Sequence, residues 1–290
     1  MASIVCAVAG GKGGVGRTTS AINLGAALEQ YDYNTVVLDG DLSMSDMQMM
    51  LDLDMDQGVH SILAGEASVA EASVDLPGGL TVMPGERSLD AYGNANTSAL
   101  PEVVEAIRGT VDIVLIDTGA SPGTETSAAL GAADVVVLVT TPDDPAVRNT
   151  NKTNRLTERF DNEVAGALIT RVRDRSELEE AKEMLEVPVL GGIPVDKEAV
   201  TEEPLMIKAL DSDAARAYGE CADRLHSLVV EETPHSELEL AFEDEWTMAG
   251  EPDESPSPAS EEDSADDEGA AEAEGDGESD EFTGGALPFG

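Results

Sequence analysis

The chain has 290 residues, 41 % of them apolar, which suffices for one large α/β domain or two small ones with a sizeable core. Its formal charge of -44 arises from 60 acidic residues against 16 basic ones, a surface that repels nucleic acid and anionic lipid unless salt screens it. Only two cysteines occur, Cys6 and Cys221, without metal-ligand spacing, so they read as small core residues in a reducing compartment.

The charge has two sources. Residues 1–231 hold 39 acids and all 16 bases, whereas residues 232–290 hold 21 acids and no base. Few lysines, few aromatics and acids on every predicted surface face fit adaptation to high intracellular salt, as in a halophile. There the screening length falls to roughly 3 Å, so the acidity speaks of habitat more than of ligand. No basic region leads into a long apolar stretch, and nowhere do 18 apolar residues run together. A soluble, cytoplasmic protein is expected.

Along the chain, short apolar runs predict strands over 4–9, 35–38, 80–83, 112–116, 135–139, 165–169 and 187–191. They read as continuous Val, Ile and Leu, the signature of parallel strands buried on both faces. Between them, helical patterns cover 18–30, 100–108, 124–132, 147–160 and 176–185, and a last helix spans roughly 211–230. This βαβ order predicts an α/β fold: a doubly wound, mostly parallel sheet with helices on both faces, over residues 1–231. Residues 232–290 form a second region, an acidic and largely disordered tail. Within it Leu238, Phe242 and Trp246 recur every four residues, suggesting a short helix over 236–248 that either binds a partner or docks on its own domain.

Directly after the first strand and before the first helix stands Gly10-Gly11-Lys12-Gly13-Gly14-Val15-Gly16-Arg17-Thr18-Thr19. Glycines in that context let backbone amides curl around phosphate oxygens while the helix presents its positive end. Residues 11–18 fit the P-loop pattern except at one position: Arg17 stands where lysine normally reaches the terminal phosphates. Arginine keeps the charge but cannot place a single ammonium there. Binding is expected to survive better than hydrolysis.

The run from Lys12 to Thr19 resembles the deviant Walker A motif of the MinD/ParA family of P-loop ATPases, and the resemblance covers roughly residues 2–228. It implies ATP and Mg²⁺ as cofactors, ATP/ADP exchange and a homodimer formed with ATP. Lys12 would reach across that dimer to the partner's phosphates, and Gly11, Lys12, Gly13, Gly14, Val15, Gly16, Arg17, Thr18 and Thr19 would cradle the nucleotide. The stretch TVVLDGDLSMSDMQMMLDLD is similar to the second strand and switch I, placing Asp39 at the metal and Asp41 beside the attacking water. VDIVLIDTGASPG is similar to the Walker B strand, placing Asp117 with Thr18 and Asp39 at the metal. A strand-end acid can also be a turn or helix cap. GALITRV and GGIPVD resemble the segments that flank the base, which puts Arg171 and Pro194 near adenine or, with equal weight, in ordinary strand-end loops.

VVVLVTTPDDPAVRNTNKT resembles the MinD branch more than the ParA one. The expected function is an ATP-dependent dimerising switch, a slow ATPase with Lys12 and Asp41 as catalytic residues, that positions division, motility or chemosensory machinery. The alternative is a nucleotide-binding scaffold with little hydrolysis because of Arg17. A ParA-like DNA partition role is weaker, since Arg155, Arg159, Arg171, Arg173 and Arg175 make a poor basic patch among so many acids. The glutamates flanking Leu238, Phe242 and Trp246 argue against direct membrane binding. A protein partner at the acidic tail or the dimer surface is expected, with any polar or membrane location arising through it.

Overall fold

The run IVCAVA forms β1 (Ile4–Ala9) in a computed structural model that describes residues 3–121, 123–196 and 203–235. Its side chains alternate between two cores. Cys6 and Val8 join a cluster with Ile22, Leu24 and Tyr218, whereas Val5 and Ala7 pack on the opposite side. A strand with no solvent face is apolar at every position, which is why its sequence lacks a polar alternation. The same holds for β2 (Thr35–Gly40), β5 (Ile113–Thr118) and β6 (Val135–Thr140), each buried throughout.

With a two-residue β3 (Val74–Asp75), β4 (Thr81–Met83), β7 (Glu163–Val172) and β8 (Val189–Pro194), these strands form one sheet. The order among the described residues is β3-β4-β2-β5-β1-β6-β7-β8, and only the β3–β4 pairing is antiparallel. The predicted parallel sheet is therefore present. The edge strand β3 was not predicted, being too short for any periodicity to register.

The helices are α1 (Arg17–Leu28), α2 (Met47–Met50), α3 (Val59–Leu63), α4 (Leu89–Asn94), α5 (Leu100–Arg108), α6 (Thr124–Ala132), α7 (Asp144–Thr157), α8 (Arg175–Met184), α9 (Leu205–Lys208) and α10 (Asp213–Val229). Helices α1, α9 and α10 cover one face of the sheet, and α3, α5, α6, α7 and α8 cover the other. Helix α7 begins three residues earlier than its apolar pattern predicts. Asp143 caps it by accepting the Ala146 N–H at 3.2 Å, and Pro145 sits in the first turn, where a missing N–H costs nothing. Short α2, α3, α4 and α9 escaped the sequence pattern because four to six residues complete barely one turn.

Both cysteines are buried and free, and burial pushes each thiol up to about 12, which keeps them inert as core residues. No helix among the described residues is long and apolar enough to cross a membrane. The proposed helix over 236–248 and the acidic stretch beyond it lie outside the described residues. Strands β1, β2, β5 and β6 all point their C-terminal ends to one edge, where the connections leave in opposite directions and a crevice opens.

Candidate functional site

The turn from β1 into α1 leaves no room for a side chain at Gly10 or Gly11. A Cβ on Gly11 would lie 2.3 Å from the Asn149 carbonyl, and Gly16 adopts φ 89°, which disfavours any other residue. Gly16 is the N-cap of α1, no side chain caps it, and the first turn carries no acid. The first helical bond is Ser20 N–H to Gly16 O, so the amides of Arg17, Thr18 and Thr19 have no helical acceptor. Together with the helix dipole they make an anion site. Thr170 on β7 pins the turn from behind: its Oγ1 lies 2.7 Å from Val15 O and 3.1 Å from Thr140 O.

Beside this turn three carboxylates converge. Asp39 and Asp117 are register partners on β2 and β5, each 1 % exposed. Asp39 Oδ1 accepts the Asp41 N–H at 3.1 Å, and its Oδ2 accepts from Ser45 Oγ and from Gly85 N–H at 3.3 Å. Burial raises the Asp39 carboxyl above the usual range, against the Ser45 and Gly85 bonds and with help from Asp41. Burial, then the neighbouring Asp39, raises Asp117 likewise, opposed by the Thr18 hydroxyl and by Arg17. Asp117 Oδ1 is buried and has no hydrogen-bond partner among the described residues.

Arg17 is the base set against these acids. Its side chain is 8 % exposed, its Nη2 lies 3.7 Å from Asp41 Oδ2, and its Nε and Nη1 are buried without partners among the described residues. Buried acids in excess call for a cation, and unpartnered guanidinium N–H groups call for an anion. Among the described residues no three His, Cys, Asp or Glu side chains group as a metal cage. Mg²⁺ takes one or two carboxylates and fills its shell with phosphate oxygens and water. The orphaned Asp117 Oδ1, the Thr18 hydroxyl and Asp39 are the oxygens that fit such an ion.

A cavity of about 750 Å³ opens over this floor, lined by Gly13, Gly14, Gly16, Arg17, Thr18, Thr19, Asp41 and Arg171 among others. Arg171 is held at φ 58° at a β7 irregularity and borders this cavity and a second one of about 600 Å³. Pro194 pairs with Val172 at the end of β8, and it is the next residue, Val195, that lines the second cavity. Lys12 and Val15 line that second cavity and not the first. Lys12 Nζ turns away to Asp143 Oδ1, 3.1 Å distant. Gly11 borders a third cleft with Asn149 and Lys152.

Residues 6–204 match the family model for the CobQ/CobB/MinD/ParA nucleotide binding domain. The chain belongs to this MinD/ParA family. It is 34 % identical over 231 residues to an uncharacterised ATP-binding protein of Methanocaldococcus jannaschii, covering 77 % of this chain and 88 % of that one. Among solved structures it is similar to the cell division ATPase MinD of Pyrococcus furiosus, with TM-score 0.73 and 29 % identity over 79 % of this chain and 100 % of that one. It is similar too to the septum site-determining protein MinD of Pyrococcus horikoshii complexed with Mg-ADP, with TM-score 0.72 and 26 % identity, covering 80 % and 99 %.

Within this MinD-like frame several residues of the site went unread in the sequence. Thr170 and Asp143 touch the turn, Ser45 touches Asp39, His60 touches the loop after Asp41, and Glu86 holds His60. The one local signal was His60 itself, a polar ring inside the apolar run VHSIL.

Proposed function

We propose that this chain is a MinD-like switch that binds ATP with Mg²⁺, dimerises on it and hydrolyses it slowly to position a cellular assembly. The observation that carries the reading is the division of labour around the 750 Å³ cavity. The phosphate turn, Arg17, Thr18 and Asp41 line it, whereas Lys12, the base at the family's signature position, lies outside it on the rim. In this reading the base outside the cavity serves the nucleotide of a second copy. Met44 lines the same mouth and is 72 % exposed, an apolar side chain that a second copy would cover.

In this reading the amides of residues 17–19 and the free N–H groups of Arg17 hold the phosphates, and Thr18, Asp39 and Asp117 hold Mg²⁺. The ion supplies charge neutralisation at the phosphate oxygens. Asp41, more open than the other two acids at 16 % side-chain exposure, accepts a hydrogen bond from the attacking water. Contacts between copies that need the terminal phosphate make assembly follow the nucleotide state.

A second reading keeps one observation of its own. Arg17 leans on Asp41, so the residue that replaces the usual lysine also occupies the acid meant for water. A nucleotide-gated scaffold with little turnover follows if that contact persists with ATP bound. Turnover of wild type, Arg17→Lys and Asp41→Ala in molar potassium chloride, with oligomeric state followed in the same samples, separates the two. Wild-type turnover lost in Asp41→Ala, with an ATP-dependent dimer, supports the switch. ATP binding without turnover, restored in Arg17→Lys, supports the scaffold.

A further inference from the structure

His60, in α3, is fully buried, and both its ring nitrogens are engaged. Nε2 lies 2.7 Å from Leu42 O. A carbonyl can only accept, so Nε2 carries a proton and donates it. Nδ1 lies 2.9 Å from Glu86 N and 2.9 Å from Glu86 Oε2. A neutral ring accepts the Glu86 N–H there, and a charged ring donates to the carboxylate. The bond to Leu42 is made in both forms.

Glu86 is anchored in turn. Its carboxylate accepts N–H groups of Gly58 at 2.8 Å, His60 at 2.8 Å and Ser61 at 2.9 Å, the amides that open α3. The ring therefore has a rigid base and offers one proton to the backbone immediately after Asp41. On the far side of the same loop, Ser45 Oγ contacts Asp39 Oδ2 and lies 2.9 Å from Gly85 O. The loop that carries Asp41 is tied to Gly85 through Ser45 and, by way of His60, to Glu86. Among the described residues, the Asp41 side chain has a 3.4 Å contact from Ser43 Oγ and the 3.7 Å approach of Arg17 to hold it.

We propose that His60, braced by Glu86, is a positioning residue that sets Asp41 over the nucleotide cavity through the Leu42 carbonyl. The inference rests on the reading of Asp41 as the carboxylate that faces the attacking water. A histidine that merely filled the core would satisfy its nitrogens anywhere, whereas this one bonds the loop on which that reading depends.

The test compares two conservative variants of the full chain. Glutamine can place an amide N–H near the position of Nε2, and asparagine reaches only as far as Nδ1. His60→Asn is expected to raise hydrogen exchange of the amides of residues 41–46 about tenfold in nucleotide-free protein. It should lower kcat by a similar factor and leave ATP affinity unchanged. His60→Gln should stay within about twofold of wild type in all three. Equal exchange in the two variants overturns the proposal. Absence of wild-type turnover would count against the hydrolytic reading, while the exchange comparison would still decide the tether. If His60→Asn does not fold, ¹⁵N spectra of wild-type His60 decide instead: a protonated, slowly exchanging Nε2 is expected, and an unprotonated Nε2 contradicts the bond to Leu42.

Discussion

Lys12 Nζ lies 3.1 Å from Asp143 Oδ1, with both side chains nearly half exposed, so the signature lysine is held on its own surface by an acid of its own chain. Asp143 is suited to this. The Thr141 hydroxyl first, then Lys12 and the Ala146 N–H, hold its carboxyl below the usual range against a modest cost of burial.

If Lys12 must leave Asp143 to serve a second copy, weakening the pair favours the dimer. Asp143→Asn keeps the cap on α7 and removes the charge. It is expected to tighten ATP-dependent dimerisation by up to about fivefold for each of the two pairs a dimer breaks, the range of an exposed ion pair worth under ~1 kcal/mol. Sedimentation of both proteins over a potassium chloride series checks this, and the difference should shrink as salt rises.

Arg17 leaves two N–H groups buried and unpartnered and leans on Asp41. Arg17→Lys frees Asp41 and places a compact ammonium at the phosphates. Turnover should rise on the order of tenfold, with ATP affinity changed far less. A steady-state assay paired with nucleotide titration measures both.

Asp117 is a buried acid whose Oδ1 has no partner, so the nucleotide-free protein carries a cost that binding relieves. Asp117→Asn removes the charge and retains an oxygen for the Thr18 hydroxyl. Thermal denaturation without nucleotide should show a gain of about 1 kcal/mol, while Mg²⁺-dependent turnover is lost. Loss of turnover with equal loss of stability would instead mark Asp117 as a structural residue.

The His60–Glu86 pair sets a pH signature. Burial would raise the Glu86 carboxyl, but bonds from His60, Ser61 and the Gly58 amide outweigh it and bring the group from 4.5 down to about 2. Stability from a depressed carboxyl is present above the unfolded value and is lost as pH falls through the folded one. The gap between wild type and Glu86→Gln, roughly 2 kcal/mol at neutral pH, should therefore close between pH 4.5 and about 2. For His60, burial acts to lower the ring's value, yet Glu86 and the Leu42 carbonyl raise it overall. That contribution is complete below 6.5 and is lost as pH rises through the higher folded value. Denaturant melts across pH follow both.

The parallel sheet was legible because strands buried on both faces write themselves as unbroken Val, Ile and Leu, and β5 and β6 do so. The phosphate turn was legible because its constraints are local: Gly16 needs its φ and Gly11 its close approach. Asp39 and Asp117 were singled out by the resemblance of their strands to switch I and Walker B, and the register of β2 and β5 sets them side by side. The supports of the site were not, because they come from far along the chain. Thr170 bonds Val15 across 155 positions, Asp143 meets Lys12 across 131, and Glu86 meets His60 across 26. No local pattern encodes such pairs; the topology of the sheet brings them together. That Lys12 and Arg17, five positions apart, serve different sites was implied only by the family resemblance, and Lys12 lines a different cavity from Arg17.

If Lys12 serves the nucleotide of a second copy, two inactive variants should complement each other when mixed. Lys12→Ala and Asp41→Ala are each expected to lack turnover alone. In an equimolar mixture, a mixed dimer has one site with its own Asp41 and a Lys12 supplied by the other copy, so ATP turnover should return, up to about a quarter of wild type. A mixture as inactive as its components, although sedimentation shows that mixed dimers form, would place Lys12 at its own site and contradict the account.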